Sequence, residues 1–308
     1  MNIYTNLVAE VGRKIQNTSS GYETKIKEFL NRRYEYLWHK YLWKEIIEID
    51  EAITTVSGEV ELVLPKTVGE IIALTERAND VVLTDMSPYV YQQKHLDTIT
   101  DQTRPTSYTI SGETGAADQP ASASKISFAS ASASDTTQDV RIWGIASSEE
   151  VTESVSLTGT TAAETTNTYT RVDRVSKDAD TVGVVTGTAG SVTVVTLAPT
   201  EYTARYLKIR LHKVPAAAYT LYLTYKKRFR KLLNDEDVLE FDCEAALISG
   251  TYADCLKEQR QFSKAQAEES KFQEIVLTYL MEKEGQGDKT NLMQPHIEQS
   301  DIDTQITY

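Results

Sequence analysis

Residues 239–284 read LEFDCEAALISGTYADCLKEQRQFSKAQAEESKFQEIVLTYLMEKE, and the fold turns on how this stretch is arranged. It looks like one long C-terminal helix, or two set end to end. In its first half Ala245, Ala246, Leu247, Ile248, Tyr252, Ala253, Cys255 and Leu256 put apolar side chains on most sides. A helix apolar all round is buried by its neighbours. In its second half Tyr252, Leu256, Ala265, Phe272, Val276 and Tyr279 recur at roughly helical spacing amid Lys, Glu, Gln and Arg, which leaves one apolar stripe on a wet helix. A continuous helix of this length would run about 65 Å, wider than a small domain. Two outcomes are expected: a break near Gly250 or Ser263, or an arm that leaves its own body to meet another chain.

Downstream, Gly285-Gln286-Gly287 is expected to end the helix, because glycine tolerates the left-handed geometry of a helix stop. The last segment, Asp288–Tyr308, is polar, with Ile297, Ile302, Ile306 and Tyr308 spread along it at no helical period. Such a segment is expected to order on a partner.

Upstream, Asn234–Asp237 forms an acidic turn, placed where negative charge favours the start of the long helix. Before it runs a basic stretch, Lys226, Lys227, Arg228, Arg230 and Lys231. On a strand Lys226, Arg228 and Arg230 would point one way and Lys227, Phe229 and Lys231 the other. A solvated strand edge, salt bridges to another subunit or partner, and DNA contact are the open readings. Tyr206–Leu211 and Thr220–Tyr225 alternate as strands around Val214-Pro215.

At the other end, Ile3, Leu7, Val11 and Ile15 recur every fourth residue, as in a short amphipathic helix. Asn17–Gly21 breaks it, and Ser20 with Glu23 has capping-box spacing. Ile26, Leu30, Tyr34, Leu37 and Tyr41 then make a second stripe, so the two helices are expected to form a hairpin. Ile47, Ile49 and Ile53, then Val60, Leu62 and Leu64, alternate on either side of Ser57-Gly58, a β-hairpin signal. Glu70–Leu74, Val81–Thr84 and Ser107–Ser111 read as strands, the last ending at Gly112; Pro88–Leu96 is ambiguous, with a short helix as one reading.

From Glu113 to Thr203 the composition shifts to Ser, Thr, Ala, Val and Gly. Val140–Ile142, Val155–Leu157, Val172–Val175, Val182–Val185 and Val192–Leu197 are β-rich, separated by turn residues such as Asp135, Gly159, Asp178 and Gly190. Short strands at this spacing predict a small β-sandwich, with Trp143 as its core anchor. The expected organisation is an interrupted frame: residues 1–112 and 204–285 form it, 113–203 are inserted, and 286–308 are an extended arm.

The chain of 308 residues has a net charge of −13. So acidic a chain repels duplex DNA as a whole, and general nucleic-acid binding is not expected. Cys243 and Cys255 are the only cysteines; on one helix they are too far apart to bridge, which suits a reducing compartment. No apolar run is long enough for a membrane span, and Met1–Asn6 shows no secretion signal.

The order of the segments resembles a known family. The motifs are YLWHKYLWKEI at residues 36–46, LVLP at 62–65, RPTSYTISG at 104–112, VPAAAYTLYLTYKKRFRKLLNDEDVLEFD at 214–242 and ALISGTYADCLKEQ at 246–259. Together they resemble the head-to-tail adaptor, or connector, proteins of tailed bacteriophages, in the variety with an immunoglobulin-like insertion; VRIWGI and VSLTGTTA of the insert look like such modules. The resemblance implies an α+β fold, with a helical hairpin, a long C-terminal helix and antiparallel strands interrupted by an immunoglobulin-like β-sandwich. It implies a virion protein of the neck, made in the bacterial host cytoplasm. Its copies would form a homo-oligomeric ring, dodecameric in the family, beneath the portal protein. That ring would extend the DNA channel without sequence-specific binding and dock the tail or tail-nozzle protein. The arm with Ile297, Ile302, Ile306 and Tyr308 would grip the portal. A different virion role is the alternative, as a tail-completion, baseplate or capsid-decorating protein that binds the host surface through its insert.

No catalytic signature stands beside this. Glu149-Glu150, Asp235-Glu236-Asp237 and Glu268-Glu269 are adjacent carboxylates, whereas glycoside hydrolysis needs two that face each other across a substrate. His39, His95, His212 and His296 lack metal-ligand spacing, and no glycine-rich phosphate loop precedes a helix. Neither an enzyme nor a cofactor is expected. Tyrosine is frequent, at 17 residues, and the crowd of Tyr34, Tyr36, Trp38, Tyr41 and Trp43 exceeds what one small core would face. Tyr34, Trp38, Tyr41 and Trp43 are therefore expected between subunits.

Overall fold

The computed structural model describes residues 3–17, 19–94 and 102–283. It is a mixed α+β fold, with five α-helices and many mostly antiparallel strands among these residues. The described residues divide into two compact units, one from those up to 47 together with 229–283, the other from those between 48 and 228. The strands on either side of residues 113–203 fall in the second unit with them, and the N- and C-terminal helices fall in the first.

In the helical unit, α1 (Tyr4–Ile15) buries Tyr4, Leu7, Val8 and Val11, the face its four-residue repeat marks. Its first N–H groups are satisfied from far along the chain: Tyr4 N–H donates to the Asp237 carbonyl at 2.8 Å and Thr5 N–H to that of Asp235 at 3.2 Å. The acidic turn thus serves the start of α1; the helix expected to follow it begins only at Glu244. α2 (Ser20–Lys40) buries Ile26, Leu30, Tyr34, Leu37 and Trp38. The capping box does not form. Ser19 is the N-cap residue and makes no side-chain cap bond. Its hydroxyl and its backbone N–H both donate to Asn17 Oδ1, at 2.9 and 3.1 Å; the nearer amide carbonyl wins.

The middle of the chain supplies β1 (Ile47–Thr54), β2 (Glu61–Val63), β3 (Val68–Glu76), β4 (Val81–Val82), β5 (Thr84–Asp85), the short helix α3 (Pro88–Lys94), β6 (Gln102–Thr103) and β7 (Ser107–Thr114). The insert adds β8 (Ser127–Ser130), β9 (Asp139–Ala146), β10 (Glu149–Ser156), β11 (Ala163–Glu164), β12 (Tyr169–Lys177), β13 (Val185–Ala189) and β14 (Val192–Leu197). β15 (Tyr206–His212), β16 (Val214–Pro215) and β17 (Thr220–Lys227) follow.

Two four-stranded sheets, ordered β1-β17-β3-β4 and β2-β15-β7-β5, share a core of Leu74, Tyr108, Ile209, Leu211, Leu221 and Leu223. β1 and β2 lie in different sheets, so the hairpin expected at Ser57-Gly58 is absent. Alternation names a strand and its buried face, not its partner. Here the turn is held from elsewhere: Thr55 N–H donates to the Tyr219 carbonyl and Gly58 N–H to that of Pro215, both at 2.9 Å. Nor does β7 end at Gly112. It runs on to Thr114, because Gly112, at φ 114°, sits where the pairing with β15 shifts register; glycine accepts that angle without strain.

The insert's strands form a three-stranded sheet, β10-β9-β12, and a four-stranded one, β11-β8-β13-β14. Phe128, Val140, Ile142, Tyr169, Val172 and Val195 are fully buried in their common core. Trp143 is not among them. It is half-buried on the outer face, because neighbours in a strand alternate sides and Ile142 takes the inside; the large core anchors are Phe128 and Tyr169. Asp135, read as a turn residue, is fully buried. Its carboxylate accepts the Val182 and Gly183 N–H groups at 2.8 and 2.9 Å, and so holds the segment before β13, which starts only at Val185.

Of the two expected outcomes the break is found, beside Ser263, and it separates α4 (Glu244–Glu258) from α5 (Phe262–Lys283). Arg260 takes a left-handed φ of 61°, and the Arg260 and Gln261 N–H groups donate back to Lys257 and Leu256 at 3.0 and 2.9 Å. α5 then packs along α4, and Ser249 Oγ donates to Glu268 at 3.0 Å. Gly250 is no break; it is where Phe272 comes closest. A Cβ there would lie 2.9 Å from Phe272 Cδ2 and 3.3 Å from Arg33 Cδ. Gly250→Ala would gain about 1 kcal/mol of helix propensity and lose about 2 kcal/mol to overpacking. A net loss near ~1 kcal/mol is expected in thermal unfolding; a stabilised variant would show that these helices do not approach so closely.

Candidate functional site

The aromatic residues assigned to subunit contacts lie inside the chain's own helical core. Tyr34 is fully buried and Trp38 and Trp43 are 2% exposed, with Tyr41 half-buried against the same core. Phe241 organises them: its ring stacks on Trp43 at 4.4 Å and on Tyr34 at 5.3 Å, with Trp38 at 5.9 Å. Trp43 Nε1–H donates to the Leu37 carbonyl at 3.0 Å, and the Tyr34 hydroxyl accepts the Glu240 N–H at 3.0 Å. Tyr34, Trp38 and Trp43, so enclosed, have no face left for a second subunit, which corrects their interface assignment; Tyr41 keeps part of its surface. The missing signal was nonlocal: Phe229 and Phe241 complete a core that the α2 segment alone cannot. Tyr36, of the same crowd, is 40% exposed.

The basic run does not make one patch. β17 ends at Lys227. Lys226 is 6% exposed, and burial pushes its ammonium below the usual lysine range, opposed by Glu70 across the ladder. Lys227 pairs with Glu48 at 3.5 Å. Arg228 donates to Glu113 at 3.0 Å and to the Arg205 carbonyl at 2.9 Å. Of the run only Arg230 and Lys231 are exposed, and they belong to the helical unit. The alternating strand faces expected of this run are not found.

Among the described residues no three His, Cys, Asp or Glu side chains converge as a metal site. His39 lies in the helical unit and His212 in the β unit; His95 and His296 lie outside the described residues. Of the adjacent acids, Glu269 is bound by Arg33 and Glu268 by Ser249. Asp237 accepts the Leu233 and Asn234 N–H groups at 2.6 and 2.8 Å. Glu149 and Glu150 are exposed on successive positions of β10. None of these pairs faces its partner across a cleft. Both cysteines are buried. The arm residues Ile297, Ile302, Ile306 and Tyr308, and the Gly285-Gln286-Gly287 stop, lie outside the described residues. No described helix is long and apolar enough to cross a membrane.

One exposed constellation was missed. On the outer face of β10-β9-β12, the Arg174 guanidinium lies 4.9 Å from the Trp143 ring centre and that of Arg141 6.0 Å from it. The parity of Val140 and Ile142 was the signal that could have placed Trp143 outward. No protein-family model and no curated protein matches the sequence.

Proposed function

We propose that the chain is a structural virion protein without catalysis, a head-to-tail adaptor whose copies form a ring beneath the portal, extend the DNA channel and dock the tail. The observation that carries this reading is the ordered series of motifs from YLWHKYLWKEI to ALISGTYADCLKEQ. Three structural features support it. α1 and α2, joined by residues 16–19, suit the helical hairpin of such adaptors. The two sheets around Phe128 and Tyr169 suit an immunoglobulin-like sandwich, here without a disulfide. Large apolar side chains also remain exposed, among them Leu277 and Met281 one turn apart on α5, and Ile49, Ile72 and Val82 in the β unit. With Tyr34, Trp38 and Trp43 interior, these are the surfaces on which neighbouring copies would meet. A net charge of −13 suits a lumen past which DNA slides without sticking.

The test is the mass of the purified chain alone and mixed with the portal protein of the same virus. A complex with many copies of this chain per portal ring is expected. Removing residues 287–308 should abolish that complex while leaving the thermal unfolding of the chain unchanged. A chain that stays monomeric with portal present would sink the proposal.

A further inference from the structure

We propose that the outer face of β10-β9-β12 binds an acidic polysaccharide, with Trp143 as the stacking platform and Arg141 and Arg174 as the carboxylate-reading groups. This goes beyond the adaptor reading and stands whether or not copies of the chain form a ring. The face is built against the chain's own trend. Between Glu113 and Thr203 there are twelve acidic side chains against five basic ones, and the only three arginines are Arg141, Arg171 and Arg174. All three share this face. In the β9–β12 pairing Arg171 stands opposite Ile145 and Arg174 opposite Trp143, and directly paired residues point to the same side.

Arg171 and Arg174 are three positions apart, a spacing that sends side chains to opposite faces of a regular strand. The register shift between Val172 and Arg174 leaves Asp173 as the extra residue, and this bulge turns Arg174 towards Trp143. Bulges re-aim side chains in this way and are common beside functional sites. The Asp173 carbonyl, displaced from the ladder, accepts the Gly115 N–H at 2.9 Å.

The charges on the face are not equivalent. Arg171 is occupied by Asp173, through bonds of 2.7 and 3.2 Å, and also feels Glu150. Arg141 and Arg174 are exposed and have no carboxylate partner among the described residues. Two guanidiniums flanking one indole are attracted to its ring but repel each other, and their outward N–H donors match a carboxylate above the ring. Around them stand hydroxyls: Thr152 opposite Trp143, and Ser154 and Ser176 opposite Arg141. A uronate chain presents complementary groups: one carboxylate per sugar for Arg141 and Arg174, hydroxyls for the hydroxyls around them, and a C–H face for the indole. A nucleic acid carries far denser charge, about one phosphate per 1.7 Å of duplex, which the surrounding acids repel.

The experiment is calorimetric titration of the full chain with a polygalacturonate fragment, with the same fragment fully methyl-esterified, and with a single-stranded oligonucleotide. The unesterified fragment alone should bind. The double substitution Arg141→Gln with Arg174→Gln should weaken it at least about tenfold, and Trp143→Ala by a similar factor. Should Trp143→Ala fail to fold, the arginine pair still decides, since it leaves the ring in place. Equal binding of the methyl ester, stronger binding of the oligonucleotide, wild-type affinity in the arginine double variant, or no binding to any probe would each overturn the proposal.

Discussion

Phe241→Ala is expected to lower the unfolding free energy of the helical unit by about 4 kcal/mol, the upper part of the range for deleting a buried aromatic ring. The ring is fully buried, and Tyr34, Trp38 and Trp43 all meet it. Its removal would forfeit transfer free energy and leave a cavity between large, rigid side chains that cannot collapse into it. Aromatic pairing adds about 1 kcal/mol per good contact beyond burial, and the stack at 4.4 Å with Trp43 is the closest. Tyr34→Phe keeps the ring and strips only the acceptor for the Glu240 N–H, so about 1 kcal/mol is expected there. Urea unfolding followed by tryptophan fluorescence reads both, because Trp38 and Trp43 belong to this core. The result also bears on where these aromatics act. If they packed between subunits, the isolated chain would lose less than about 1 kcal/mol with Phe241→Ala.

The same rings show what the amino-acid order could and could not reveal. Local periodicity marked α1, α2, β1, β15 and β17, because a strand or helix writes its buried face into its own residues. Partners leave no such local trace. Nothing around Tyr34 announces Phe241, so a crowded α2 looked like surplus surface. Nothing in the alternation of β1 and β2 says that each joins a different sheet. The break near Ser263 was readable, but its exact place was not: the turn uses Arg260 at positive φ, where a glycine would have flagged it. Trp143 is the opposite case. Its outward direction was readable from the parity of Val140 and Ile142, and a preference for burying tryptophan overrode that reading. The bulge that turns Arg174 beside it was not readable, since an extra residue appears only in the pairing with β9.

Arg33→Ala is expected to cost about 3 kcal/mol at neutral pH and progressively less in acid. Arg33 joins α2 to both later helices. Nε and Nη2 donate to the two oxygens of Asp254 on α4 at 2.7 and 2.6 Å. Nη1 and Nη2 donate to the two oxygens of Glu269 on α5 at 2.8 and 2.7 Å. Breaking a buried pair costs about 3–5 kcal/mol, because it strands the partner charges. The lower end applies, since 28% of the Glu269 side chain is exposed and Lys257 also reaches it at 2.9 Å. Arg33→Lys should recover less than half of the loss, because an ammonium cannot grip two carboxylates with paired parallel bonds. The pH dependence has a definite sign. The Arg33 guanidinium, helped by Lys257 and opposed by burial, holds the Glu269 carboxyl down at about 2, against an ordinary value of 4.5. A depressed carboxylate contributes its stability fully above the unfolded value and loses it as pH falls through the folded one. The gap between wild type and Arg33→Ala should therefore be full at pH 7 and narrow between about pH 4.5 and 2 in urea titrations. A gap that stayed constant over that window would mean that Arg33 acts only by packing on Phe272, whose ring centre lies 5.0 Å from the guanidinium.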